Sequence, residues 1–151
     1  MTPMFFKLIE TPNEWTLAVL RVAAGIMIFP HGLQKTFGWF GGAGYATQMA
    51  GFERSHIPAV FGFLAIMAEF LGGLGLIFGA LTRVAAFGLA ANMVVGVYLI
   101  HWRNGWFMNW SGQQKGEGFE FHILAVAIAV VLMARGGGAA SIDGAIAKNK
   151  S

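Results

Sequence analysis

The sequence contains no cysteine and few charged residues. Without thiols, disulfide exchange and cysteine-ligated zinc or iron–sulfur centres are excluded. Charged residues make up 11% of the chain, whereas a soluble domain carries about 25%. Because 56% of the 151 residues are hydrophobic, too few charges remain to cover the surface of a soluble protein of this size. The sequence therefore predicts an integral membrane protein.

The excess of positive charge is small and dispersed. The formal net charge is +3, from ten basic and seven acidic residues spread along the chain. Nucleic-acid-binding domains instead concentrate Lys and Arg in a patch or along a helix. We therefore expect no nucleic-acid partner, and the basic residues serve here to predict membrane topology.

Four apolar segments qualify as membrane-spanning helices, which need roughly 20 mostly apolar residues. They lie at about residues 15–33, 58–81, 83–100 and 119–134. We predict a single all-α domain over residues 1–151, a polytopic membrane protein in which four transmembrane helices form a bundle of two antiparallel hairpins. Pro30 lies inside the first segment and predicts a kink or an early helix end near residues 29–33.

Four spans place both termini and the turn at residues 80–83 on one side of the membrane. An excess of Lys and Arg marks the cytoplasmic side. The terminus side has five basic residues against four, so we expect cytoplasmic termini, although the small margin leaves the opposite orientation open. The five are Lys7, Arg83, Arg135, Lys148 and Lys150, and the four are Lys35, Arg54, Arg103 and Lys115.

Polar and aromatic residues gather on the opposite side, where the longer loops lie. One explanation is an aromatic belt at the membrane surface, but a belt is expected at both surfaces, and only Trp15 marks the terminus side. The asymmetry therefore favours a functional site. The set comprises His31, Lys35, Trp39, His56, His101, Trp102, Trp106, Asn109, Trp110, Glu117, Glu120 and His122.

Two charged residues lie deep inside the spans. Counting 1.5 Å per residue from the predicted helix ends puts Arg21 and Glu69 both roughly 16–18 Å below the polar side, near the bilayer centre. A lone charge there costs about 2.5–3.5 kcal/mol. We therefore predict an Arg21–Glu69 ion pair, with Asn92 near enough to add a hydrogen bond. The pair either locks the bundle or marks a path for protons or substrate. If Arg21 points elsewhere, Glu69 is expected to be protonated.

The histidines have no recognised metal-ligand spacing. Glu120 and His122 are two residues apart, so they do not share a helix face. Metal and haem are therefore disfavoured as cofactors, although two histidines on opposite helices would suit haem. A quinone is the favoured ligand, because imidazole exchanges protons near neutral pH.

Seven short motifs are distributed over most of the chain: PHGLQK at 30–35, AEFLGG at 68–73, LTR at 81–83, HW at 101–102, NGWF at 104–107, GFEFH at 118–122 and SID at 141–143. In combination they resemble the DoxX family of small four-helix bacterial membrane proteins, over about residues 17–143. The resemblance implies an inner-membrane protein connected with quinones and membrane redox complexes. The topology is also similar to that of vitamin K epoxide reductases, whose thiol mechanism is excluded here by the lack of cysteine.

These observations predict a subunit of a quinone-linked membrane oxidoreductase, with a polar pocket open to the non-cytoplasmic face. Whether the subunit is itself an enzyme is left open. We expect Arg21, Glu69, His101 and His122 to form a proton-handling core. The quinone-binding residues are predicted to be His31, Lys35, Asn92, Trp106, Asn109 and Glu120.

Two other functions are compatible with the same sequence. A non-catalytic subunit would dock a soluble redox partner through residues 34–57 and 101–118. A small-molecule or proton transporter would need more than four helices and therefore a dimer. The GxxxG spacing of Gly75 and Gly79 suits close helix packing within one copy or in a homo-oligomer. In each case the lipid bilayer is a partner.

Overall fold

The computed structural model describes residues 3–148, and these form helices and connecting segments without a strand. Lys150, which was counted for topology, lies outside the described residues. The helices are α1 (Pro3–Ile9), α2 (Trp15–Phe37), α3 (Tyr45–Arg54), α4 (Ala59–Phe78), α5 (Thr82–Leu99), α6 (Glu120–Arg135) and α7 (Ile142–Lys148), with 3-10 turns at Trp39–Gly41 and His101–Asn104.

Three helices, α2, α4 and α5, are long and apolar enough to cross a membrane. They expose many large apolar side chains, as lipid-facing helices do, and the chain is a multi-pass membrane protein. Helix α6 covers the fourth predicted span, but it has 16 residues and is about 24 Å long at 1.5 Å per residue. Exposed apolar side chains include Val19, Ile26, Phe61, Leu64, Leu71, Phe87 and Val94.

Helix α6 packs against α5 and α2, while α4 packs against α2 and α5. Small and branched side chains fill the space between these four helices. The buried cluster consists of Ala24, Ile28, Leu76, Ala85, Ala86, Leu89, Met93, Ala125, Ala129 and Leu132. We call the end formed by residues 38–58 and 100–119 the loop face. The end formed by α1, the α4–α5 turn and α7 is the terminus face.

Glycines bring α2 and α4 into direct backbone contact. A Cβ atom on Gly32 would lie 2.5 Å from Phe70 Cα, and one on Gly73 would lie 2.9 Å from Phe29 Cα. These contacts fix an antiparallel register in which residue 32 lies beside residue 70. The predicted GxxxG pair does not form this contact, because Gly79 ends α4 with a φ of 68°.

Of the predicted kink or early helix end near residues 29–33, the early end is wrong. Helix α2 continues to Phe37 and ends at Gly38, which has a left-handed φ of 74°. Proline removes one backbone donor, and membrane helices tolerate that loss when neighbouring groups support them. Here the last turns of α2 are held by the contact of Gly32 with Phe70.

Arg21 holds the terminus face together. It is 1% exposed, and each of its five N–H groups bonds to a backbone carbonyl. The acceptors are the oxygens of Leu76 (2.9 Å), Ile77 (2.6 Å), Gly137 (2.9 Å), Ala139 (3.3 Å) and Ala140 (3.0 Å). The guanidinium therefore caps the C-terminus of α4, where a cation is favourable, and ties it to the segment after α6.

Asp143 completes the terminus face from α7. Its carboxylate accepts hydrogen bonds from the backbone N–H groups of Leu81 (2.7 Å) and Thr82 (2.8 Å), at the N-terminus of α5, where an anion is favourable. Leu81 has a left-handed φ of 47°, which is uncommon for a side chain of its size. The LTR and SID motifs are thus two halves of one capping contact.

We expect Arg21→Met to lower the free energy of unfolding by more than about 3 kcal/mol, because five buried carbonyls lose a charged donor. The matched control is Arg135→Met, which removes an exposed ion pair with Glu14 and should cost less than about 1 kcal/mol. Unfolding by SDS in mixed micelles, followed by tryptophan fluorescence, measures both. Equal losses would contradict the capping role of Arg21.

We expect Gly32→Ala to destabilise the protein by about 1–3 kcal/mol, because the added methyl group overlaps the α4 backbone. Gly51 lies in α3 with no atom nearer than 3.8 Å to an added Cβ. Gly51→Ala should therefore be neutral or stabilising by up to about 1 kcal/mol. The same SDS titration compares them, and a neutral Gly32→Ala would rule out the close helix contact.

Candidate functional site

A buried carboxylate lies at the centre of the molecule. Glu69, in the middle of α4, has a side chain that is 5% exposed and forms an ion pair with Lys35, whose side chain is 29% exposed. Asn92 of α5 donates from Nδ2 to Glu69 Oε1 (3.0 Å) and to the carbonyl oxygen of Ala65 (3.2 Å). Three helices thus contribute to one polar centre, which we define as Lys35, Glu69 and Asn92.

The predicted Arg21–Glu69 ion pair is wrong. In the antiparallel register of α2 and α4, Arg21 lies beside the α4–α5 turn, roughly 18 Å along the axis from Glu69 at 1.5 Å per residue. The sequence estimate took the first span to end at residue 33, whereas α2 runs to Phe37. Lys35 in its last turn takes the place predicted for Arg21, and the predicted hydrogen bond from Asn92 to Glu69 is present.

Lys35 points inward, against the usual behaviour of lysine near a helix end. Such side chains commonly extend toward the membrane surface and water. The inward orientation is explained by Glu69, because an unpaired carboxylate at this depth would cost several kcal/mol. Residues 25, 28, 32 and 35 follow each other at helical spacing along the face that contacts α4. That spacing is the signal by which the sequence could have placed Lys35 beside α4.

Glu69 keeps one carboxylate oxygen available. Both Lys35 and Asn92 bond to Oε1, and Oε2 has no hydrogen-bond partner among residues 3–148. An unpaired oxygen in a buried carboxylate is expensive unless it carries a proton or meets a donor. The polar centre is therefore suited to holding a proton or accepting a hydrogen bond from a ligand.

A wide groove of about 1080 Å³ runs along the outer side of α4 and α5. Its lining is almost entirely apolar and extends from His56 at the loop face to Ile142 at the terminus face. Asn92 lies in its wall at mid-depth. Because Asn92 bonds to Glu69, the groove connects the polar centre with the surrounding lipid. No feature of the sequence predicted this groove.

Two of the four histidines meet near the loop face. The rings of His101 and His122 have centroids 4.2 Å apart, and His101 Nδ1 lies 2.8 Å from the carbonyl oxygen of Glu117. His122 is 8% exposed, and its Nδ1 has no partner among the described residues. By contrast, His31 and His56 are exposed at separate places. The predicted core therefore falls into distinct groups: the Glu69 centre, the histidine pair and Arg21.

The other predicted binding residues shape the loop between α5 and α6. Glu120 Oε1 accepts a hydrogen bond from the Met108 backbone N–H (2.9 Å). Asn109 bonds through its backbone N–H to Glu117 Oε2 (2.6 Å) and through its side-chain amide to Gln114. Trp106 packs edge-on against Phe119. These contacts give the loop its conformation, and they lie apart from the polar centre.

The described carboxylate and imidazole side chains do not form a metal-binding site. Among residues 3–148, no three His, Asp or Glu side chains are grouped as metal ligands would be. The polar centre offers an ammonium and a carboxylate, which exchange protons, and an amide, which donates and accepts hydrogen bonds.

Comparison with known proteins identifies one family. A family model described as DoxX matches residues 16–102, more than half of the chain. The matched region includes all three members of the polar centre and ends just after α5. No curated protein and no solved structure matches the chain.

We expect a double-mutant cycle of Lys35→Met with Glu69→Gln to give a coupling free energy of about 0.5–3 kcal/mol, because each single change leaves the other group unpaired. The matched cycle of Arg21→Lys with Glu69→Gln should be additive within about 0.5 kcal/mol. SDS unfolding provides all the values. Coupling in the Arg21 cycle and none in the Lys35 cycle would reverse the assignment of the ion pair.

Proposed function

Since the chain belongs to the DoxX family, we propose that it is the membrane subunit of a quinone-linked oxidoreductase and binds a quinone-like molecule in the groove between α4 and α5. The observation that carries the proposal is Asn92, a polar residue in the wall of an apolar groove, hydrogen-bonded to the buried Glu69. The same centre extends through Lys35 toward the loop face.

The groove suits a ligand with a long apolar tail and a small polar ring. Ligand sites combine a mainly apolar lining with a few placed polar groups, and this groove has Asn92 at mid-depth. Both donor bonds of the Asn92 amide are used within the protein, so its free polar atom is the acceptor Oδ1. A hydroxyl group on the ligand is the matching donor, which favours the reduced, quinol form.

Glu69 acts behind Asn92, which lines the groove, rather than in direct contact with the ligand. Oxidation of a bound quinol releases two electrons and two protons. The free oxygen Oε2 of Glu69 accepts the protons one at a time, passing on the first before it accepts the second, and Lys35 balances the charge of the carboxylate between the two steps. The electrons leave through a partner, because the chain has no cysteine and no attachment motif for a prosthetic group. We therefore assign electron transfer, and the binding of any second substrate, to other subunits of the assembly.

The proposed architecture is one domain of four spanning helices, with α6 as the fourth and the two antiparallel hairpins α2–α4 and α5–α6. The packing of α6 against α5 and α2 supports this arrangement. We place the protein in a bacterial inner membrane with cytoplasmic termini. At the terminus face, Arg21 and Arg83 bond to backbone carbonyls at helix ends and Arg135 forms an ion pair with Glu14. Lys35, which was counted for the loop face, turns inward to Glu69. The excess of basic residues at the terminus face is therefore larger than the sequence count, which favours cytoplasmic termini.

A second candidate function is the docking of a soluble redox partner at the loop face. The observation in its favour is a group of exposed aromatic side chains between α5 and α6, with Trp110 85% exposed. Interfaces are enriched in such residues. Loss of a co-purifying partner on Trp110→Ala, with quinol binding intact, would favour this function over the first.

We expect ubiquinol and menaquinol analogues to bind the purified protein saturably, and Asn92→Leu to weaken binding about tenfold, the effect of losing one hydrogen bond. Glu69→Gln should weaken it less if the ligand contacts Asn92 alone. The matched control is Asn13→Leu, because Asn13 is exposed at the terminus face. Absence of saturable binding, or equal loss in the control, would remove the proposal. Titration by intrinsic tryptophan fluorescence measures the affinities.

A further inference from the structure

We infer that Glu69 exchanges protons and water with the loop face alone, by way of Lys35, and is closed to the terminus face. The inference concerns the access of Glu69 to water, so it holds whether or not a quinone is the ligand. It assigns Lys35 a role beyond charge balance, as the group through which protons reach the carboxylate.

The open direction is marked by polar groups that follow one another toward the loop face. Glu69 is paired with Lys35 in the last turn of α2, and the Lys35 side chain retains 29% of its surface exposed. Thr36, the next residue, has a buried hydroxyl with no partner among the described residues. Unsatisfied buried polar groups attract water. The ion pair of Glu69 with the partly exposed Lys35 therefore opens the carboxylate toward the loop face, and Thr36 adds a buried hydroxyl in the same turn of α2.

The closed direction is a layer of tightly packed apolar groups. Below Glu69, Gly73 lies against Phe29 and Gly25 against Ile77, each too close to admit a methyl group without displacement. The buried side chains of this layer, as far as the structure describes the chain, are apolar: Ala24, Ile28, Leu76, Ala86, Ala129 and Leu132. The α4–α5 groove also reaches the terminus face, but its lining is almost entirely apolar and faces lipid. The buried hydroxyl of Thr82, without a partner among the described residues, lies beyond the layer, beside Gly137. A dry apolar layer holds no water for proton transfer.

Arg21 does not open this layer from the other end. All five of its N–H groups are already bonded to backbone carbonyls, and it lies roughly 18 Å along the axis from Glu69. The charged and polar groups that face Glu69 are Lys35 from α2 and Asn92 from α5. Of these, only Lys35 carries an exchangeable charge and lies toward the loop face.

The proton step is balanced within the ion pair. The Lys35 ammonium gives a proton to the Glu69 carboxylate, which leaves a neutral amine and a neutral acid. Hydronium at the loop face then returns a proton to the amine and becomes water. The reverse sequence releases a proton from Glu69 to the loop face. After proton uptake the pair carries one positive charge, on Lys35, whose side chain is more exposed than that of Glu69. The buried Glu69 is then neutral, so the uncompensated charge lies toward the loop face and not in the membrane core, where it would be costly.

Cysteine accessibility tests the sidedness, and the native chain, which has no cysteine, is the background. Thr36→Cys, Glu69→Cys and Leu76→Cys are reconstituted in lipid vesicles and treated from either side with a membrane-impermeant cationic methanethiosulfonate. Gln114→Cys reports the loop face and Ala145→Cys reports the terminus face, since both positions are exposed. These two reporters also give the orientation of each vesicle population.

We expect Thr36→Cys and Glu69→Cys to react from the loop face, and about a hundredfold more slowly from the terminus face, because the reagent cation would have to cross the apolar layer. Leu76→Cys should react from neither side. Reaction of Glu69→Cys from the terminus face, from both faces or from neither would overturn the inference.

A second measurement keeps Glu69 and its ion pair intact. Carbodiimides modify protonated carboxyl groups, so dicyclohexylcarbodiimide labels Glu69 in proportion to its protonation. In vesicles with different pH on the two sides, the labelling yield at Glu69, read by mass spectrometry against Glu69→Gln, should follow the pH at the loop face. A yield that follows the terminus-side pH, or neither pH, contradicts the inference. No quinone is used, so this failure is distinct from failure of quinol binding.

Discussion

The backbone contact between α2 and α4 determines which polar groups meet in this protein. Gly32 lies against Phe70 and Gly73 against Phe29, so one antiparallel register is strongly preferred. That register places Lys35 beside Glu69 and Arg21 beside the end of α4. A shift by one helical turn would separate both sets of partners, and each charge left alone would be costly in the membrane. Packing and electrostatics thus support the same arrangement.

The buried charges of Arg21 and Glu69 are stabilised in different ways, and the difference suits different roles. Arg21 uses every donor on backbone carbonyls, and no proton or ligand can be added without breaking a bond. Glu69 has two donors on one oxygen and none on the other. The first arrangement is structural, whereas the second retains the capacity for chemistry.

The sequence was sufficient for the membrane class, for three spanning helices and for the hydrogen bond between Asn92 and Glu69. It gave the wrong ion-pair partner for Glu69. The depth of Arg21 in the membrane was counted from a helix end at residue 33, whereas α2 continues past Pro30 to Phe37. The spacing of residues 25, 28, 32 and 35 would have corrected this. The α4–α5 groove and the hydrogen bond from the Thr82 backbone N–H to Asp143 could not be predicted. They depend on how segments distant in sequence pack together, and helical periodicity contains no information on that packing.

The capping of the α4–α5 turn by residues that follow α6 has a consequence for biogenesis. During synthesis, α4 and α5 emerge before residues 137–143, so the newly inserted hairpin lacks three of the five acceptors of Arg21 and the carboxylate of Asp143. Translation must pass α6 before this turn is secured. A chain interrupted in that interval would present a buried guanidinium without most of its acceptors to the membrane-protein quality-control machinery, and the terminus face becomes stable only after residues 137–143 have been added.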